Sequence, residues 1–235
     1  MIACGLIGGL RIIVPSQFLP DSIRTVLTTL PPALVTALVL LLAYLLGSLS
    51  GSLMLGRLRG VDVRTLGSGN AGGTNAFRTQ GARFALGVAV IDLGKGALAA
   101  WLALRFASAW AWPAVLLVMA GHVWPLWHGF RGGKGAAAAV GALLVLWPLA
   151  VGLMLVLWLL VLITTGYVGL ATVLAAASLP LWAWGLQANA QVLGYCIVIA
   201  LFIAFTHRAN LMRLRHGNEH RFERARLLHR WLARP

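Results

Sequence analysis

"AAAAVGALLVLWPLAVGLMLVLWLLVLITT", Ala136 to Thr165, carries no charged residue over thirty positions. As one α-helix a stretch of this length would extend about 45 Å, whereas a bilayer's hydrocarbon core is about 30 Å thick. Pro148 stands near its middle. A proline inside a helix removes a backbone hydrogen bond and clashes with the preceding turn. The stretch therefore reads as two short helices meeting at Pro148. The alternative, one tilted helix, would change the parity of the spans and put both termini on the same side.

The rest of the chain reads the same way. Only 10% of the 235 residues are charged, far below the roughly 25% of soluble domains, and the mean hydropathy is +0.87. Apolar runs near Ala33–Leu55, Phe84–Leu104, Trp110–Trp127, Tyr167–Trp184 and Gln191–Thr206 flank the two Pro148 helices. The expectation is an all-α polytopic membrane protein with seven transmembrane helices and polar motifs in its cytoplasmic loops. A β-barrel would show alternating segments of about ten residues, and none is visible.

The net charge of +14 would suggest nucleic acid on a soluble domain, but here the basic residues gather in a few loops and the tail. With the C-terminus in the cytoplasm, Arg57, Arg59, Arg64, Arg78, Arg83, Arg131, Lys134 and eight arginines from Arg208 to Arg234 lie inside. Only Arg11, Arg24 and Arg105 lie outside, so the N-terminus is expected outside and no nucleic-acid partner is expected. Residues 1–32 read as an external extension, with a start codon assigned too early as the alternative. Residues 33–219 read as the seven-helix domain and 220–235 as a basic cytoplasmic tail. Leu211, Leu214, Phe222, Ala225, Leu228 and Trp231 suggest a helix lying on an anionic leaflet. Cys4 and Cys196 lack ligand-like spacing and are expected to pack as small apolar groups.

Three polar motifs interrupt the apolar walls, all on the proposed cytoplasmic side. The first is "GSGNAGGTNAFR", Gly67 to Arg78. Its bare backbone, its neutral groups (Ser68, Asn70, Thr74, Asn75) and the planar cation of Arg78 suit a phosphate. It satisfies GxGxxG, but no soluble βαβ unit surrounds it, so a dinucleotide fold is rejected. The second is "GHVWPLWHGFRGGKG", Gly121 to Gly135. Lys134 is one of two lysines and is followed by Gly135, which excludes a Walker A loop. His122 reads as a packing or hydrogen-bonding histidine rather than a catalyst. The third is "HRANLMRLRHGNE", where His207 and Asn210 share a helix face and Glu219 is one of only five acids. Asp92 and Lys95, inside the second apolar run, can pair at i, i+3. Scattered histidines and few acids argue against a metal, and nothing suggests a cofactor.

In this order and spacing, and with "DLGKG" in the second span, the three motifs resemble the bacterial acyl-phosphate:glycerol-3-phosphate acyltransferase family from about Leu34 to Glu219. The resemblance implies an inner-membrane enzyme of phospholipid synthesis. It would move a fatty acyl group from acyl phosphate to the 1-hydroxyl of glycerol 3-phosphate, giving lysophosphatidic acid and phosphate. Its partners would be those two substrates and membrane lipid, with a monomer as the default. None of the six histidines is followed by Asp five positions on, so the HxxxxD motif of acyl-CoA-dependent enzymes is missing.

Carried over by position, Ser68, Arg78, Lys134 and His207 would be catalytic. Gly69, Asn70, Thr74, Asn75, Gly132, Gly133, Thr172 and Asn210 would bind substrate, supported by Asp92, Lys95, His122 and Glu219. The chain departs from the family pattern at Gly169 and Thr172, where "GLAT" replaces a serine-rich segment, at Ala71 and Gly73, and at Arg131.

Overall fold

The computed structural model describes residues 29–223. Among them every regular element is helical. The helices fall into two compact units, Met1–Leu146 and Trp147–Pro235.

The first unit holds α1 (Pro32–Gly47), α2 (Gly51–Leu58), α3 (Gly73–Gln80), α4 (Ala82–Phe106), α5 (Ala111–Val123) and α6 (Ala136–Leu146). α4 packs along α6, and α1 along α5. Glycines permit both approaches. A Cβ on Gly47 would strike the carbonyl of Val118, and one on Gly121 that of Tyr44. Gly96 and Gly141 stand in the same relation to Ala138 and Leu93 across α4 and α6. In lipid, where apolar side chains gain little by meeting each other, such close backbone contact is a main source of helix association.

The second unit holds α7 (Pro148–Thr165), α8 (Val168–Gly185), α9 (Ala190–Thr206) and α10 (Arg208–Arg215). α8 packs against α7, α9 and α10. The break expected at Pro148 is present. Trp147 leaves helical geometry at φ −154° and ψ 70°, and Pro148 opens α7, where its missing N–H has no intrahelical partner to lose.

Seven apolar helical segments occur where the sequence placed them, but not all are full spans. Ala82–Phe106, Ser108–His128, Pro148–Thr165 and Val168–Gly185 are long and apolar enough to cross a membrane. The bent pairs α1–α2 (49°) and α9–α10 (57°) raise the number to six. α6, with 11 residues, reaches only about 16 Å, half a hydrocarbon core. Among the described residues, length and composition thus support four to six spans and one short apolar helix. Leu86, Leu181 and Leu201 are each at least 65% exposed, which fits a surface facing acyl chains. Cys196 is a buried free thiol, and Cys4 lies outside the described residues.

The amphipathic tail helix does not run on as expected. α10 ends at Arg215, and Gly217 adopts φ +72°, a left-handed conformation that terminates helices. The chain then turns back, and the Phe222 N–H donates to the Gly166 carbonyl at 2.8 Å. Ala225, Leu228 and Trp231 lie outside the described residues.

Candidate active site

The break between α1 and α2 contains the most heavily engaged charges of the first unit. Lys95 and Asp92, on α4, are 5% and 1% exposed and 2.9 Å apart. The Lys95 ammonium donates to the carbonyls of Gly47 (3.0 Å) and Leu49 (2.7 Å), at the end of α1. Asp92 Oδ1 accepts from the Gly51 N–H at 3.1 Å, at the start of α2. Helix C-termini present unsatisfied carbonyls and favour cations, and N-termini present N–H groups and favour anions. The pair splits its charges across the break accordingly. Removing an ionised residue from water costs several kcal/mol. These contacts offset that cost and explain why the sequence tolerates both charges within a span.

This break is wired to the first two motifs. Ser52, fully buried at the start of α2, donates to the Ala71 carbonyl in the first motif at 2.9 Å. His122 Nδ1 lies 2.7 Å from Lys95 Nζ. The His122 carbonyl accepts from the Gly133 N–H (3.1 Å), and the Val123 carbonyl accepts from the Gly132 N–H (3.0 Å). Gly133 is pressed between the two motifs: a Cβ there would overlap His122 Nε2 and stand 2.9 Å from the Ala71 oxygen. Arg64 adds a third tie. It donates to the carbonyls of His128 (3.0 Å) and Arg131 (3.1 Å) while gripping Asp62 through Nε and Nη2. The Arg64 hydrogen bonds hold the Asp62 carboxyl below the usual carboxylate range.

The expected ligands divide by what they already hold. Asn75 is 1% exposed; its Oδ1 accepts from the Ser68 N–H (2.9 Å), and its Nδ2 donates to Val63 and Leu66 (both 3.0 Å). It staples the loop shut. The N–H groups of Gly132 and Gly133 are likewise spent on backbone carbonyls, so these glycines contribute bareness and close approach, not donors. Gly69 takes φ +71°, and its N–H bonds to Leu66 at 3.0 Å. Ser68 and Asn70 are partly exposed, Thr74 and Arg78 exposed, and Lys134 half-buried. α3 opens at Gly73 with no side-chain cap, leaving first-turn N–H groups and a positive helix end beside this loop.

The third motif belongs to the second unit. His207, 6% exposed, sits at the α9–α10 bend, its Nδ1 2.8 Å from the Ile203 carbonyl. A carbonyl only accepts, so Nδ1 carries a proton. Glu219 accepts from Asn210 Nδ2 and Arg213 Nε, both at 2.7 Å, folding the tail onto α10. Gly169 leaves room for the Asn210 side chain, which a Cβ would crowd at 2.9 Å. The hydroxyl that the family pattern would place there has no space. Thr172 donates to the Val168 carbonyl (2.9 Å) and accepts from Trp158 Nε1 (3.1 Å), so its hydroxyl serves the packing of α7 on α8.

Arg64, Asp62 and Ser52 escaped the sequence reading. The available signal was Asp62-x-Arg64, of which Arg64 was read only as an inside positive charge, and a buried serine in a helix break that a continuous first span would not contain.

Residues 37–217 match the family model described as glycerol-3-phosphate acyltransferase. The chain belongs to this family. The glycerol-3-phosphate acyltransferase of Geobacter sulfurreducens is 38% identical over 173 residues, covering 73% of this chain and 89% of that protein. That of Aquifex aeolicus is 35% identical, covering 72% and 90%. The fold matches a crystal structure of PlsY (YgiH), an integral membrane glycerol 3-phosphate acyltransferase, in its glycerol 3-phosphate form. The TM-score is 0.75 at 35% identity, over 80% of this chain and 95% of that one. The lysophosphatidic acid form of the same enzyme gives 0.73 at 34% identity over the same shares. Like that enzyme, this acyltransferase-family chain is an integral membrane protein with several apolar helices.

Proposed function

We propose that this chain transfers a fatty acyl group from acyl phosphate to the 1-hydroxyl of glycerol 3-phosphate, releasing lysophosphatidic acid and inorganic phosphate. The observation that carries the reading is the junction of the first two motifs. Ser52 holds Ala71, His122 holds Gly132 and Gly133, and Gly133 lies between His122 and Ala71. Arg78 and Lys134, one on each motif, then belong to one constellation that faces two anionic substrates.

The donor is a mixed anhydride with a good leaving group, so no covalent enzyme intermediate is needed. The acceptor oxygen attacks the acyl carbonyl, a C–O ester bond forms, and the C–O bond to phosphate breaks. The hydroxyl proton passes to a phosphate oxygen of the substrates. The protein supplies orientation. Arg78 and Lys134 offset phosphate repulsion and charge growing in the transition state, with Ser68, Asn70 and Thr74 as polar neighbours. We place the site at the cytoplasmic face of the inner membrane, with the C-terminus inside, on the asymmetry of the basic residues.

The test is transfer by the purified full-length protein in detergent, with glycerol 3-phosphate as acceptor and either acyl phosphate or acyl-CoA as donor. Lysophosphatidic acid should form with acyl phosphate alone. Product from acyl-CoA at an equal rate would overturn the donor assignment, and no product from acyl phosphate would overturn the reading as a whole.

A further inference from the structure

The Asp92–Lys95–His122 cluster does more than splice α1 to α2. Lys95 Nζ has three protons and four neighbours: Gly47 O, Leu49 O, Asp92 Oδ1 and His122 Nδ1. An ammonium only donates, so His122 Nδ1 must carry a lone pair, although Asp92 Oδ1 lies 3.5 Å away. The imidazole is thereby fixed as the Nε2–H tautomer. The Nε2 edge of the ring faces Gly133, and no described residue accepts a hydrogen bond from it. The ring sets how closely Gly133 approaches Ala71, and the His122 carbonyl holds the Gly133 N–H. Lys134 is the next residue along the chain.

We infer that Lys95 is a positioning residue for the acceptor phosphate, acting through His122 to set where the Gly132–Lys134 segment stands against the first motif. The inference rests on the assignment of that segment to the glycerol 3-phosphate site. Without the ammonium the ring loses its anchor, the glycine pair loses its stop, and the Lys134 ammonium drifts from the anion. Much of the donor's binding comes from its acyl chain, which this segment does not hold in the proposed reading, so the larger effect falls on the KM for glycerol 3-phosphate. This selectivity separates positioning from general support of the fold, which would lower the amount of active enzyme and leave both KM values alone.

The experiment measures steady-state transfer by full-length Lys95→Met and His122→Asn, varying glycerol 3-phosphate at saturating acyl phosphate and the reverse. His122→Asn offers Lys95 an amide oxygen near the Nδ1 position, keeps the Asp92–Lys95 pair, and withdraws the ring from Gly133. It decides alone if Lys95→Met, which leaves Asp92 unpaired, does not purify as a folded species. We expect KM for glycerol 3-phosphate to rise tenfold or more, with KM for acyl phosphate within threefold of wild type. A fall in kcat with unchanged KM, an equal rise of both KM values, or wild-type kinetics overturns the inference. Should wild type itself give no product from acyl phosphate, the proposed function fails on its own account. Binding of glycerol 3-phosphate to wild type and variants by calorimetry then decides: weaker binding in the variants supports the inference, and equal or absent binding overturns it.

Discussion

Gly133→Ala adds one methyl group where the two motifs press together. The new Cβ would overlap His122 Nε2, lie 3.0 Å from His122 Cδ2 and 2.9 Å from the Ala71 oxygen. Neither neighbour yields easily, since Lys95 holds the ring at 2.7 Å and Ser52 holds the carbonyl at 2.9 Å. Ordinary carbon contacts lie at about 3.5–4.0 Å, so the loop must lift by on the order of 1 Å. Overpacking of this kind costs about 1–3 kcal/mol. Taken from glycerol 3-phosphate binding, that corresponds to roughly a 5- to 150-fold loss. The assay is initial-rate transfer with glycerol 3-phosphate varied, and size-exclusion chromatography confirms folded protein. Gly94→Ala is the control, because nothing stands within 4 Å of a Cβ there. A Gly133→Ala enzyme whose kcat/KM for glycerol 3-phosphate stays within twofold of wild type would refute the reasoning.

Asn75→Asp keeps the acceptor for the Ser68 N–H but loses both Nδ2 donations, leaving buried carbonyls unsatisfied at about 1–3 kcal/mol; the melting temperature in detergent should fall, and Asn75→Ala should fall further. Glu219→Ala strips Asn210 and Arg213 of a carboxylate that is itself 4% exposed, while Glu219→Gln retains the Asn210 bond. Thermal unfolding should rank wild type above Gln above Ala, the last by about 1–3 kcal/mol, and equal melting of all three would contradict the contacts. The Asp62–Arg64 pair stabilises the folded state above the unfolded aspartate pKa, and this contribution is lost as pH falls through the depressed folded value. Asp62→Asn should therefore match the pH profile of wild type from about pH 5 to 8 and differ only below about pH 4. A difference in profile near neutrality would assign the pair another role.

The membrane class, the Pro148 break and the three motifs were legible because each depends on local chemistry: apolar run length, proline stereochemistry and glycine with polar neighbours. The α1–α2 break was not. Gly47, Ser48, Ser50 and Gly51 permit a kink but do not show that one is used; its loose ends are met by Lys95, which donates to them, and Asp92, which accepts from them, over forty residues away. The pairing of those two charges was readable from i, i+3 spacing, but their shared contact with His122 was not. The roles of Asn75, Gly132 and Gly133 were hidden for a related reason. Sequence shows which groups can bond a phosphate, whereas only geometry shows which are already spent within the loop. The periodicity of the tail runs past Gly217, whereas the helix that begins at Arg208 ends at Arg215.

The central claim is that the first two motifs form one glycerol 3-phosphate site with Arg78 and Lys134 as its cations. A structure of the full-length protein with glycerol 3-phosphate bound tests this most directly. The account predicts the phosphate within hydrogen-bond distance of Lys134 Nζ and the Arg78 guanidinium, beside the Gly133–Ala71 contact. A phosphate bound elsewhere, touching neither cation, would contradict it.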